Sequence, residues 1–202
     1  MIVILDNDLG NSGSVLKMVK LFDDNVIITS DPNQIKDARK IILPGVGSFD
    51  TGMLNIKKSK FLSVLEEKVL KEKIPFLGIC LGMQMLFEQS DEGNLNGLGW
   101  IPGQVKRFEF NKNITLKIPH MGWNTVNQVV KNNLLPENVE ELRYYFVHSY
   151  HAVCKEEYII AKTFYGYDFA CAVQNENIFG TQFHPEKSHR FGKALIEKFV
   201  KL

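Results

Sequence analysis

Pro75-Phe-Leu-Gly-Ile-Cys-Leu-Gly-Met-Gln-Met-Leu86 is the stretch whose reading decides the fold of this chain. A short apolar run, residues 76–79, leads into Cys80, and a helix-like run follows it. Gly78 and Gly82 flank the cysteine. This is the pattern of a nucleophile elbow. A strand delivers the side chain to a sharp turn, small neighbours leave the turn room, and the next helix aims its positive end at the nucleophile and at the oxyanion it creates. On cysteine statistics alone a buried core residue is the commoner reading, and the Gly-x-Cys-x-Gly spacing shifts the balance toward the elbow.

Outward from this unit, the first half of the chain alternates strand and helix. Residues 2–5 form a continuous apolar run, as a strand covered on both faces requires. Val15, Met18, Val19 and Phe22 recur at helical spacing within residues 14–22. Residues 26–29 and 41–43 read as further strands, and Phe61, Leu62, Leu65 and Val69 make another helical stripe. Such alternation predicts an α/β fold: an open, mostly parallel, flavodoxin-like sheet with helices on both faces. The elbow then lies at the carboxyl end of a strand, where open α/β sheets bind ligands. The second half is richer in strands, at residues 104–108, 144–148, 158–164, 169–174 and 178–183. A turn at Gln174-Asn-Glu-Asn177 makes the last two a hairpin. A closing helix is expected over residues 188–200, with Phe191, Leu195 and Phe199 on one face and Ser188 as its N-cap.

Composition bounds what the fold can serve. With 202 residues and 45% hydrophobic content the chain can bury a real core as one domain, residues 1–202. Its 24 basic and 23 acidic residues leave a net charge of +1, which gives no reason to expect nucleic acid or an anionic membrane as a partner. The cysteines, Cys80, Cys154 and Cys171, are odd in number and widely spaced, which argues for a reducing cytoplasm rather than a disulfide framework or a zinc site. The N-terminus turns acidic too early for a signal peptide, and no apolar run approaches the ~20 residues of a membrane span.

About a hundred residues after Cys80 stands Gly180-Thr-Gln-Phe-His-Pro-Glu-Lys-Ser188. His184 can act as general base to Cys80, and Glu186 can orient and charge-stabilise the imidazole. Pro185 stiffens the link between them. Leu43-Pro-Gly-Val-Gly-Ser-Phe49 follows an apolar run, and a Pro-Gly-x-Gly turn after a strand can expose backbone N–H groups to an oxyanion. Gln84 lies one helical turn after Cys80, and Glu92 sits in a polar loop where a carboxylate could meet an α-ammonium group. His120, His148 and His151 match no compact metal-ligand pattern, and no metal is expected.

Five motifs occur in order: Pro44-Gly-Val-Gly-Ser-Phe49, Gly78-Ile-Cys-Leu-Gly-Met-Gln84, Pro119-His-Met-Gly-Trp-Asn124, Tyr145-Phe-Val-His-Ser-Tyr150 and Gly180–Ser188. Over essentially the whole chain they resemble the class I, triad-type glutamine amidotransferases, and within them the glutaminase subunits of imidazole glycerol phosphate synthase. The resemblance implies a triad of Cys80, His184 and Glu186 that hydrolyses glutamine through a thioester without cofactor or metal. It implies Val46, Gly47 and Leu81 at the oxyanion hole, and Gln84, Glu92, Ser149 and Tyr150 around glutamine. It places Asn11, Trp123, Tyr145 and Lys187 against a (β/α)8-barrel cyclase partner in a heterodimer of histidine biosynthesis. One departure stands out. The family's N-terminal turn usually reads Asp-Tyr-Gly-x-Gly-Asn, and here it is Asp6-Asn-Asp-Leu-Gly-Asn11. That change keeps open an alternative, a paralogous glutaminase serving a cyclase-like partner in surface-sugar biosynthesis.

Overall fold

A computed structural model describes residues 1–111, 115–137, 139 and 141–202. The parallel part of its sheet is built from β1 (Ile2–Leu5), β2 (Val26–Thr29), β3 (Lys40–Gly45), β4 (Phe76–Cys80) and, from the far end of the chain, β12 (Ile178–Thr181), in the order β2-β1-β3-β4-β12. Period-two alternation divides each strand between two cores. Along β1, Ile2 and Ile4 face one side with Val15, Met18 and Val19 of α1 (Ser12–Val19) and Leu195, Ile196 and Phe199 of α6 (His189–Lys201). Val3 and Leu5 face the other with Ile35 of α2 (Pro32–Lys36), Met53 and Ile56 of α3 (Phe49–Lys58) and Leu65 of α4 (Leu62–Glu66). Helices on both faces explain why these strands read as unbroken apolar runs. Each such side chain removed from water contributes about 1.5–3 kcal/mol.

The β-rich half extends the sheet. Antiparallel β11 (Asp168–Asn175) pairs with β12, β10 (Ile159–Phe164) pairs with β11, and β7 (His120–Gln128) and β8 (Leu142–His148) complete the path. β9 (Tyr150–Cys154) leaves β8 after Ser149 and joins β11 to β6 (Gly103–Arg107), which pairs with the short β5 (Gln89–Ser90). The hairpin expected at residues 174–177 is present, with Asn175 opposite Ile178.

Several expectations need correction. The helix after Cys80 is a single turn, α5 (Leu81–Gln84), before the chain bends away. The stripe at residues 61–71 is α4 followed by a π-helical turn, Glu67–Lys71. Ser188 does not cap α6 with its side chain; the hydroxyl is engaged elsewhere. Sequence patterning missed α2, α3, β5, β7 and β9. For α3 the signal was present, in Phe49, Met53 and Ile56 behind Ser48. β7 hides its strand character in polar residues, because much of it is only partly buried.

Register positions the chemistry. Gly45 of β3 lies opposite Cys80, and Thr181 of β12 lies opposite Ile79. Residues following 45, 80 and 181 therefore emerge side by side at the carboxyl ends of three adjacent parallel strands.

Candidate active site

Cys80 adopts φ 55° and ψ −107°, a conformation that L side chains rarely take. Such strain survives only where the surroundings enforce it, and it is the mark of an elbow. The flanking glycines make the turn possible. A Cβ on Gly82 would stand 1.9 Å from the Leu43 carbonyl oxygen, and one on Gly78 would stand 2.5 Å from that of Gly82. No other residue fits there without displacing backbone.

His184 is buried, and its Nδ1–H donates to Glu186 Oε1 at 2.8 Å, with both side chains almost wholly inaccessible. This bond fixes the tautomer and turns Nε2 toward the thiol. Nε2 is buried without a conventional hydrogen bond. Burial alone would lower the pKa of the ring, but Cys80 and Glu186 outweigh it and raise it to about 10. A carboxylate behind an imidazole and a thiolate in front of it both favour the protonated ring. His184 can thus hold the thiol proton and later deliver it to a leaving group.

The remaining expected residues divide into two sets. Val46, Gly47, Cys80, Leu81, Gln84, Glu92, Ser149, Tyr150 and His184 all line one cleft of about 320 Å³. Gly47 sits at φ 109°, open to glycine and strained for other residues. Leu81 begins α5, so its N–H belongs to the turn whose donors have no intrahelical acceptor. Glu92 Oε2 accepts the Phe49 N–H at 2.8 Å, and burial followed by the nearby Asp50 charge raises its pKa. Asp50 accepts from Asn94 and Leu95 and so holds the loop that carries Glu92.

Trp123, Tyr145 and Lys187 form a second group. Trp123 lies directly across the ladder from Tyr145, their rings 6.4 Å apart and edge-to-face. Lys187 Nζ sits 5.8 Å from the centre of the Tyr145 ring. His189 is exposed there and stacks on Trp123 at 5.5 Å. Asn11 immediately precedes α1, with its Oδ1 accepting from the Ser14 hydroxyl.

Two side chains at this site carry no sequence signal beyond neighbouring His184. Gln182, fully buried, donates its Nε2–H to Cys80 Sγ at 3.7 Å, a long contact suited to sulfur, and its Oε1 accepts from Gln84 Nε2 at 3.0 Å. Gln84 Nε2 also donates to the Tyr150 carbonyl at 3.1 Å, so the atom Gln84 can offer a ligand is Oε1. Ser188 donates its Oγ–H to the His184 carbonyl at 2.6 Å and accepts the Tyr145 N–H at 3.0 Å. The His184 N–H in turn donates to the Tyr145 carbonyl at 2.9 Å. The backbone of the candidate base is therefore clamped to β8 on both sides.

An elbow thiol, a carboxylate-backed imidazole and a loop with a positive-φ glycine meeting in one cleft constitute acyl-transfer machinery. Residues 3–202 match the family model of glutamine amidotransferase class-I. The chain belongs to the class-I glutamine amidotransferases. It is 48% identical over 202 residues to imidazole glycerol phosphate synthase subunit HisH 2 of Methanococcus maripaludis, covering all of this amidotransferase and 99% of that protein. It is 46% identical over 204 residues to the subunit HisH of Leptospira borgpetersenii, with full coverage of both. Among solved structures, one described as a glutamine amidotransferase superposes with a TM-score of 0.77 at 14% identity, covering 100% of this chain and 98% of the other. That likeness bears on the fold, and the expected α/β amidotransferase sheet is what the structure has.

Proposed function

We propose that this chain is the glutaminase subunit of an imidazole glycerol phosphate synthase, acting through a triad of Cys80, His184 and Glu186. Cys80 Sγ attacks the side-chain carbonyl of L-glutamine as His184 takes the thiol proton. The tetrahedral oxyanion is met by backbone N–H groups of the Val46–Gly47 loop and of Leu81. His184 returns the proton to nitrogen, the C–N bond breaks and ammonia leaves. Water, deprotonated by His184, then cleaves the glutamyl thioester to glutamate and restores the thiol. Gln84, Glu92, Ser149 and Tyr150 hold the substrate, with Glu92 toward its α-ammonium group. The observation that carries this reading is the convergence of the Cys80 elbow and the Glu186-backed His184 on one cleft.

The ammonia goes to a cyclase partner, a (β/α)8 barrel docked on Trp123, Tyr145, Lys187 and Asn11 in a heterodimer. Curated relatives at 43–48% identity across their full lengths carry the synthase name, which supports the histidine pathway. The sugar-amidation alternative rests on the departure at residues 6–11 alone, and the names of these relatives do not favour it. Three free cysteines suit work in a reducing cytoplasm. The test is complementation of a histidine-requiring strain lacking its own glutaminase subunit, at limiting ammonia, with this chain and its cognate cyclase expressed together. Growth is expected. No growth, despite soluble, partner-bound and glutaminase-active protein, would contradict the pathway while sparing the chemistry.

A further inference from the structure

His148, which lines the cleft, leads into a set of buried histidines that the triad does not use. His148 Nδ1 is 2.7 Å from the Tyr150 carbonyl oxygen, which can only accept, so Nδ1 carries the proton. In a neutral ring Nε2 is then a lone pair. His120 Nδ1 is 3.0 Å from it and must be the donor, which leaves His120 Nε2 to accept from Asn124 Nδ2 at 3.2 Å. The Asn124 amide is itself oriented, since Nδ2 also donates to the Phe164 carbonyl at 2.8 Å and Oδ1 accepts the Thr125 N–H at 2.8 Å. Each bond in this series runs one way, from Asn124 to His120 to His148 to Tyr150. Phe108, Phe146, Phe169 and Tyr165 pack around the two rings and leave the order no alternative solvent partner.

The series ends at the cleft. The Tyr150 carbonyl that His148 holds is the one that receives Gln84 Nε2, whose other hydrogen goes to Gln182 Oε1. Because both acceptors demand a donor, Gln84 is compelled to present Oε1 to the ligand. Were the Tyr150 carbonyl displaced, Gln182 Oε1 alone would hold the Gln84 amide against turning over and presenting N–H groups instead. We propose that His148, backed by His120 and Asn124, is a positioning residue for glutamine: it fixes the Tyr150 carbonyl and thereby the orientation of the Gln84 amide. This rests on the glutaminase reading, and it assigns no proton transfer to either histidine.

Two substitutions separate the halves of the His148 contact. His148→Asn places an amide N–H where Nδ1 stands and keeps the bond to Tyr150. His148→Gln reaches the Nε2 position and keeps an acceptor for His120, but cannot serve Tyr150. With the partner bound, His148→Gln is expected to raise KM for glutamine about tenfold and to move kcat less, while His148→Asn stays within about threefold of wild type in both. A purely structural role would lower the active fraction of both variants alike and leave KM unchanged, and that result would overturn the proposal. A nitrogen-resolved NMR spectrum of wild type supplies a second readout, independent of any variant's folding. His148 should carry its proton on Nδ1 throughout pH 5–8, and a proton on Nε2, or titration in that range, would also overturn it. Wild type that hydrolyses glutamine while His148→Gln keeps the wild-type KM would sink the positioning role alone. Wild type that shows no hydrolysis with partner would sink the glutaminase reading and this proposal together.

Discussion

At residue scale the proposed chemistry rests on the strained φ of Cys80 and the Glu186–His184 bond, and each admits a direct perturbation. Glu186→Gln keeps the shape and removes the charge that helps hold a proton on His184. Turnover should fall by about two orders of magnitude or more, with little change in KM, as measured in glutaminase assays of the partnered enzyme. A drop of less than threefold would remove Glu186 from the triad. Gly47→Ala adds a side chain where φ is 109°. Loss of one oxyanion donor costs about 3 kcal/mol, so kcat should drop roughly a hundredfold, with about 1–3 kcal/mol of stability lost to the strained φ. Unchanged kcat would show that this loop does not meet the oxyanion. Cys80, His184 and Gln84 were legible from sequence because their spacing has local meaning: elbow glycines, a two-residue base–acid step, one helical turn. Gln182 and Ser188 were not, because their partners lie 102 and 43 residues away at Cys80 and Tyr145.

At the scale of elements, the carboxyl ends of β3, β4 and β12 meet because β12 runs parallel beside β4, although 97 residues separate Cys80 from Ile178, the first residue of β12. Apolar runs foretold each strand, but no run states its neighbour, so this register had to come from the structure. The polar strand β7 and the chain's switch from β8 into β9 were invisible for a related reason: half-exposed strands lose the apolar signal that pattern reading uses. The clamp between β8 and the His184 turn is the element-level feature most open to test. Ser188→Ala leaves the part-buried Tyr145 N–H without its acceptor, a cost of about 1 kcal/mol. Denaturant unfolding should record that loss, and kcat should fall about tenfold at unchanged KM as His184 loosens. Ser188→Thr keeps the hydroxyl and should recover most of the activity. Equal activity in Ser188→Ala and wild type would show that the clamp does not position the base.

For the whole molecule, the buried histidines set the pH dependence of stability. Burial lowers the pKa of His120 to about 4, and burial, against the opposing hydrogen bond to the Tyr150 carbonyl and with smaller contributions from neighbouring histidines, lowers that of His148 to about 3, from 6.5 in the unfolded chain. Below pH 6.5 the unfolded state therefore binds protons that the folded state refuses. The stability these rings contribute is whole above pH 6.5 and falls as pH drops toward 4 and 3, by up to about 1.4 kcal/mol per pH unit for each ring. His184 acts in the opposite sense: raised to about 10, its contribution is present below pH 6.5 and is lost as pH rises through about 10. Urea unfolding at pH 5, 6.5 and 9 should thus find a maximum at the middle value, and His148→Asn should flatten the acid limb. No loss of stability from pH 6.5 to 5 would contradict the neutral, buried state of His120 and His148, and no loss from pH 6.5 to 9 would contradict the raised pKa of His184. The central claim, that Cys80 forms a glutamyl thioester, is tested most directly by intact-mass spectrometry of the partnered enzyme, acid-quenched during steady-state turnover of glutamine. The account predicts a population heavier by one glutamyl group, mapped to the peptide containing Cys80 and abolished in Cys80→Ser, and unaffected by Cys154→Ser or Cys171→Ser. Steady glutamine hydrolysis by Cys80→Ser at the wild-type rate, or an adduct on another residue, would contradict it.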